Sequence, residues 1–294
     1  MTRYPAGIGI VVGVDGSHTS KVALQWAARD AALRELPLVL VHVLPSESAR
    51  TWLAVPFPED HRETMTRRSH EILDEARDLV DRTTAGMIPV VVTESTECGA
   101  PTAALVAMSR DATMVVVGCR GVGKWGGRLL GSVSSALVHH AHCPVVICHD
   151  HGKDADPGSA PVVVGIDGSA ASELAVDVAV DEAVLRGVEL VVVHSWVETA
   201  DELTELGPLE RPLRSEHMID TCLGNRQKRS PDLKIKKVLV RGDPARTLIE
   251  TAESAQLLVV GSHGRGGFAG MVLGSVGAGV VQAAHIPVVV ARRS

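Results

Sequence analysis

The sequence GCRGVGKWGGRLLGS, from Gly118 to Ser132, sets Gly118, two residues, Gly121, nine residues, and then Gly131-Ser132. GSHGRGGFAGMVLGS, from Gly261 to Ser275, repeats that spacing with Gly261, Gly264, Gly274 and Ser275. Glycines allow a backbone to come close to a bulky ligand. Gly131-Ser132 precedes the helix-like segment VSSALVHHAH, which would set backbone amides and a hydroxyl at a helix N-terminus, a ready anion site. A second pattern overlaps the first run: Gly118, four residues, then Gly123-Lys124 approaches a Walker A loop. A true Walker A has Ser or Thr after the lysine to ligate Mg²⁺ and follows the first strand of its domain. Here Trp125 follows, the run comes after the fourth apolar segment, and Gly267 stands at the lysine position of the second copy. The Walker A match is a coincidence; the duplicated glycine–serine spacing is the signal.

The duplication extends far beyond the glycines. IVVGVDGSHTSKVALQWAARDAALRELPLVLVHV, from Ile10, aligns without gaps on VVVGIDGSAASELAVDVAVDEAVLRGVELVVVHS, from Val162, with about half the positions identical. GAPTAALVAMSRDATMVVVGCRG from Gly99 aligns on GDPARTLIETAESAQLLVVGSHG from Gly242. Asp15 and Asp167 are 152 residues apart, Gly118 and Gly261 only 143, so the second copy lacks nine residues after His194. Repeats of this length are duplicated domains, not solenoid units of roughly 20–50 residues. The expected layout is a first domain over 1–150, a polar Gly/Pro-containing linker over 151–160, and a second domain over 161–294.

Within each copy, short β-branched runs alternate with helix-like stretches. In the first copy these runs are GIGIVVGV, LVLVHV, VVVTES, MVVVG and PVVIC. Continuous apolar strands alternating with helices imply an α/β domain, a five-stranded parallel sheet with helices on both faces. The Ala-rich stretch after Ser20, KVALQWAARDAALRE, reads as the first helix, and the charged stretch from Pro58 to Arg82 as a long amphipathic one. Ligands of such sheets bind beyond the carboxyl ends of the strands, at the switch point of strand order. That brings together Val14 to Ser17, His42-Val43 and the first glycine run, and in the second copy Ile166 to Ser169, His194-Ser195 and the second glycine run.

Composition narrows the classes. Hydrophobic residues make up 45%, charged residues 22% and aromatics 2%, so the cores are built from small aliphatic side chains. A net charge of −6, with scattered Lys and Arg, gives no footprint for nucleic acid. No apolar run approaches the ~18 residues of a membrane span, and the N-terminus lacks the form of a signal peptide. Five cysteines without framework spacing fit a reducing compartment, so a cytoplasmic protein is expected. HHAHCPVVICHDH, from His139, lacks two spaced ligand pairs, and its copy QAAHIPVVVARRS keeps only His285; no metal site is expected there.

The V-G-[VI]-D-G-S start, the His ending strand two and the G-x₂-G-x₉-G-S spacing together resemble the universal stress protein family, tandem-domain type, in its ATP-binding subclass. The resemblance covers nearly the whole chain. It implies two tandem Rossmann-like (adenine nucleotide alpha hydrolase-like) domains, each binding one ATP with its Mg²⁺. Carried over by position, the first site comprises Gly13, Asp15 at the ribose, Val43 at adenine through its backbone, and Gly118, Gly121, Gly131, Ser132 and Val133 at ribose and phosphates. The second comprises Gly165, Asp167, Ser195, Gly261, Gly264, Gly274, Ser275 and Val276. Ser195 departs from Val43 and offers poorer apolar packing to adenine. Lys124, Arg128 and Arg265 are candidates for added positive charge near phosphates. The resemblance further implies pairing of the two halves through PVVICHD and PVVVARR, a homodimer, and a regulatory protein partner.

Paired carboxylates, a Ser-His-Asp set and a motif-placed general base are all missing from the sequence, which favours binding over turnover, with at most slow ATP hydrolysis. Two other classes stand beside this reading: a slow ATPase or nucleotidyl-transferring enzyme of the same superfamily, and an interaction scaffold that holds no nucleotide. The binding reading expects Gly118→Ala, Gly131→Ala or Asp15→Glu to lower ATP binding with the fold intact. WLAVPFP, Trp52 to Pro58, is absent from the second copy and has no assigned role.

Overall fold

The valine-rich inner runs become strands because both of their faces are covered. The computed structural model describes residues 7–45, 59–121, 130–150, 158–197, 210–264 and 273–292, and the chain divides into two compact units, Tyr4–Asp150 and His151–Arg293. The first unit holds β1 (Ile10–Gly13), α1 (His18–Arg34), β2 (Leu38–Leu44), α2 (Glu59–Thr83), β3 (Val92–Cys98), α3 (Pro101–Met108), β4 (Met114–Gly118), α4 (Ser132–His140) and β5 (Val145–Cys148). Its strands are all parallel, in the order β3-β2-β1-β4-β5. The second unit holds β6 (Val162–Gly165), α5 (Ala170–Arg186), β7 (Leu190–Trp196), α6 (Glu210–Arg229), β8 (Ile235–Arg241), α7 (Pro244–Ala252), β9 (Leu257–Gly261), α8 (Ser275–Ala283) and β10 (Val288–Ala291). It repeats the same parallel order, β8-β7-β6-β9-β10. Each unit is therefore the five-stranded α/β sheet that the alternating runs imply.

Helices α1 and α2 pack together, as do α3 and α4, and the second unit pairs α5 with α6 and α7 with α8. Ile10, Val11 and Val12 of β1 and Met114, Val115 and Val116 of β4 are wholly buried. The edge strands differ. β3 (VTESTEC) and β8 (IKKVLVR) leave most of their side chains partly or fully exposed and carry charge, which suits strands with one unpaired side. Strand order reverses between β1 and β4, and between β6 and β9, so each unit has its crevice at those strands' carboxyl ends.

Two local features differ from the sequence expectation. Helix α1 begins at His18 and not after Ser20, because Ser17 is the N-cap: its Oγ accepts from the Ser20 amide at 3.2 Å, satisfying one of the amides a helix start leaves open. Strand β3 starts at Val92, two residues beyond the start of the VVVTES run. The nine-residue shortening of the second copy falls largely on one helix, α6 having 20 residues against 25 in α2. Among the described residues no helix is long and apolar enough to cross a membrane.

Helix α1 also carries a correctable cost. It ends at Glu35 in the left-handed region, with φ 54°, where α5 ends at Gly187 with φ 66°. A side chain at such a position meets its own carbonyl, and glycine avoids that. Glu35→Gly is expected to raise stability by about 0.5–1 kcal/mol, the relief being partly offset by the greater freedom of glycine in the unfolded chain. The urea midpoint measures it; an unchanged or lowered midpoint would contradict this cap.

Candidate functional site

Each site is framed by the turn that leaves the first strand. Gly16 and Gly168 have φ of 81° and 76°, a conformation that favours glycine and lets the chain bend back at once into a helix. Asp15 stabilises this bend: the Ser17 amide donates to its Oδ1 at 2.9 Å, and the Ser169 amide does the same to Asp167, the side chain standing in for a backbone acceptor. One carboxylate oxygen is thereby held by the turn and the other is turned across the crevice. A Cβ built on Gly121 would lie 2.5 Å from Asp15 Oδ2, and one on Gly264 2.6 Å from Asp167 Oδ2. The second glycine of the spacing is there to seat the aspartate of the turn.

The first glycine has a different duty. A Cβ on Gly118 would lie 2.5 Å from Thr19 Oγ1 and 2.6 Å from the Thr19 carbonyl carbon, and one on Gly261 would lie 2.8 Å from the Ala171 backbone. The exit of β4 presses directly on the first turn of α1, and the Thr19 hydroxyl donates to the Arg120 carbonyl. The expectation that Gly118→Ala leaves the fold intact is corrected here: the close neighbour is helix backbone, not ligand space. Gly13 and Gly165 also serve packing, their Cβ positions meeting Leu105 and Leu248 at 3.1 and 2.7 Å.

The third glycine begins a helix that, among the described residues, has no capping side chain. Gly131 is the N-cap of α4 and Gly274 that of α8, neither with a side-chain cap bond, whereas Ser17, Ser169 and Asp243 all cap their own helices. A helix without such a cap keeps its first amides available and its positive end unmasked. The loop is pinned back to the strand exit: the Gly131 amide donates to the Cys119 carbonyl at 2.8 Å, Ser134 Oγ to the same carbonyl at 2.9 Å, and the Gly274 amide to the Ser262 carbonyl at 2.8 Å. Gly131 has only ordinary contacts, the nearest at 3.4 Å.

In the second unit these parts enclose a cavity of about 460 Å³, within the range usual for small-molecule pockets. Val193, Pro244 and Leu248 contribute apolar side chains to its lining, and Asp167, Gly264 and Gly274, which lie close together, contribute a carboxylate and backbone. Gly165, Ser195, Gly261, Ser275 and Val276 also line it, so all eight positions assigned to the second site meet at one cavity. Sequence reading passes over Pro244 and Leu248, which sit on α7, and His263 of the glycine loop, which also lines the cavity. Pro244 and Leu248 show in the sequence only as positions repeated at Pro101 and Leu105; His263, with Arg120 as its counterpart, shows no such signal.

The strand-two histidines brace the frame. His42 Nδ1 donates to the Val14 carbonyl at 2.7 Å and His194 Nδ1 to that of Ile166 at 2.8 Å, tying the end of the second strand to the exit of the first. Such a bond fixes the tautomer of each ring. His194 also stacks on Trp196 at 5.8 Å. Burial pushes the Cys119 and Cys148 thiols up, which keeps them protonated at neutral pH. Among the described residues no group of three or more His, Cys, Asp or Glu could hold a metal ion. Lys124, Arg128, Arg265 and the Trp52–Pro58 segment lie outside the described residues.

Two stretches of the chain, residues 9–149 and 159–292, match the model of the universal stress protein family. The chain is 46% identical over 298 residues to universal stress protein Rv2623 of Mycobacterium tuberculosis, covering 100% of this chain and 99% of that protein. It is 44% identical over 290 residues to universal stress protein Rv2005c of the same organism, covering 97% of each. The crystal structure of a universal stress protein from Archaeoglobus fulgidus superposes with a TM-score of 0.71 at 21% identity, over 97% of this chain and 96% of that one, a likeness of fold.

Proposed function

The chain belongs to the universal stress protein family, and from that premise we propose that it is a regulator of the stress response that holds one ATP in each unit. The observation that carries this reading is the second-unit cavity, whose lining combines apolar side chains, a carboxylate and a helix N-terminus without a capping side chain. Those are the parts that the base, ribose and phosphates of a nucleotide call for. The base lies against the apolar end and the backbone of Val43 or Ser195. Asp15 and Asp167 accept from ribose hydroxyls. The amides around Gly121, Gly131, Ser132 and Val133, and around Gly264, Gly274, Ser275 and Val276, receive the phosphates.

Mg²⁺ fits as a companion of the nucleotide. It commonly keeps several waters and binds through one or two carboxylates plus substrate phosphates. Each strand-exit turn brings one aspartate, already bonded through Oδ1 to a backbone amide, so the phosphates would supply the main ligands. When bound, the ion neutralises phosphate charge. Each strand-two histidine spends its Nδ1 on a backbone carbonyl, which holds the ring in place, and hydrolysis in this reading is at most slow. The protein acts in the cytoplasm as a homodimer whose nucleotide state is read by a regulatory protein.

Denaturing extraction of purified protein, with mass spectrometry of the released small molecules, tests the reading. Close to two adenine nucleotides per chain are expected. An empty extract, followed by no calorimetric binding of ATP with Mg²⁺, would overturn it in favour of a scaffold.

A further inference from the structure

The walls at the base ends of the two sites are chemically different, and the difference involves two matched positions. In the second unit Ser195 Oγ donates to the Gly242 carbonyl at 2.8 Å and lies 3.3 Å from Thr247 Oγ1. A hydroxyl has one proton and two lone pairs. The serine proton is committed to Gly242, so the threonine hydroxyl is the donor in the second contact. Among the described residues Ser195 Oγ therefore keeps one lone pair and no proton, and Ser195 lines the cavity with Pro244 and Leu248. Toward a ligand it is an acceptor only.

The first unit has the same turn without the hydroxyls. Gly99 takes the place of Gly242, its amide bonded to the Leu44 carbonyl at 2.8 Å as that of Gly242 is to Trp196 at 2.9 Å. Val43 stands for Ser195 and Ala104 for Thr247. Both members of the polar pair are thus apolar in the first unit, so the substitution changes what the wall can recognise while the backbone turn is kept.

We propose that Ser195 makes the second site selective for a 6-amino purine over a 6-oxo purine, and that the first site discriminates less. The inference rests on the nucleotide reading above. With the phosphates at the uncapped helix end, the base occupies the apolar end, where Ser195 is. An exocyclic amino group donates to the remaining lone pair of Ser195 Oγ. A 6-oxo group sets an acceptor against an acceptor and leaves both unpaired, which a partly buried site penalises. In the first unit Val43 is indifferent to that exchange, and only the backbone, common to both sites, discriminates.

The test is calorimetric titration of the full chain with Mg-ATP and Mg-ITP, comparing wild type, Ser195→Ala, and the double variant Val43→Ser with Ala104→Thr. Wild type is expected to show two sites, one preferring ATP over ITP about five- to tenfold more strongly than the other. Ser195→Ala should bring the two preferences together. The double variant, which rebuilds the polar pair in the first unit and leaves the second untouched, should raise the weaker preference to match the stronger. Equal preferences in wild type, or an unchanged ratio in Ser195→Ala together with no gain in the double variant, overturn the proposal. Absence of binding by both nucleotides in wild type overturns the nucleotide reading instead, and this inference with it.

Discussion

Gly118→Ala is expected to destabilise the first unit by about 1–3 kcal/mol, the range for forcing an extra methyl into a packed interior, while Gly131→Ala, at a half-buried N-cap, costs about 0.5–1 kcal/mol, the scale of placing alanine at a cap position. The two glycines belong to one spacing but face different neighbours. At Gly118 the added carbon meets the backbone of Thr19 at 2.6 Å, so either β4 or the first turn of α1 must shift. At Gly131 the nearest atoms are at 3.4 Å and φ is −67°, which alanine adopts freely. Urea unfolding of the two variants reads this difference without any nucleotide. Equal midpoints would mean that the close approach of strand exit and helix is relieved by a small adjustment, and that Gly118 serves the ligand after all. Gly261→Ala should repeat the Gly118 result in the second unit, its contact being with the Ala171 backbone at 2.8 Å.

Asp15→Asn is expected to weaken ATP binding in the first unit about 10- to 100-fold, the scale of losing a hydrogen bond to a charged group, with the second site unaffected and the unfolding midpoint unchanged. The amide is the right control because its oxygen can still accept from the Ser17 amide. The turn that holds Gly16 at positive φ therefore survives. What is removed is the charge on the side facing Gly121. Gly121→Ala approaches the same point from the opposite wall: its Cβ would stand 2.5 Å from Oδ2 and must push the carboxylate aside. Both variants should lose about one equivalent of extracted nucleotide per chain. Wild-type nucleotide content in both would remove Asp15 from the site.

These contrasts show where sequence reading stops. The three glycines of each run look equivalent in sequence. In the structure one admits helix backbone, one seats an aspartate, and one starts a helix without a capping side chain. Strand β3 starts two residues into the VVVTES run and continues to Cys98, its edge position leaving Glu94 and Glu97 outside the pattern that marks buried strands. The start of α1 is hidden in the sequence because a capping serine is itself polar and reads as loop until its bond to the Ser20 amide is seen.

The sequence by itself determined the duplication, the alternation of buried strands with helices, the strand-end location of the glycine runs and the family resemblance. Those properties are local or periodic: burial on both faces demands continuous apolar runs, and a repeat preserves them in register. Only the tertiary structure decided which neighbour each glycine faces, that Asp15 and Gly121 meet across the crevice, and that the Ser195 hydroxyl is held by Gly242 with Thr247 behind it. Those contacts join residues from separate elements, Asp15 with Gly121 and Ser195 of β7 with Thr247 of α7, and no periodicity along the chain encodes a distance between elements that only packing brings together.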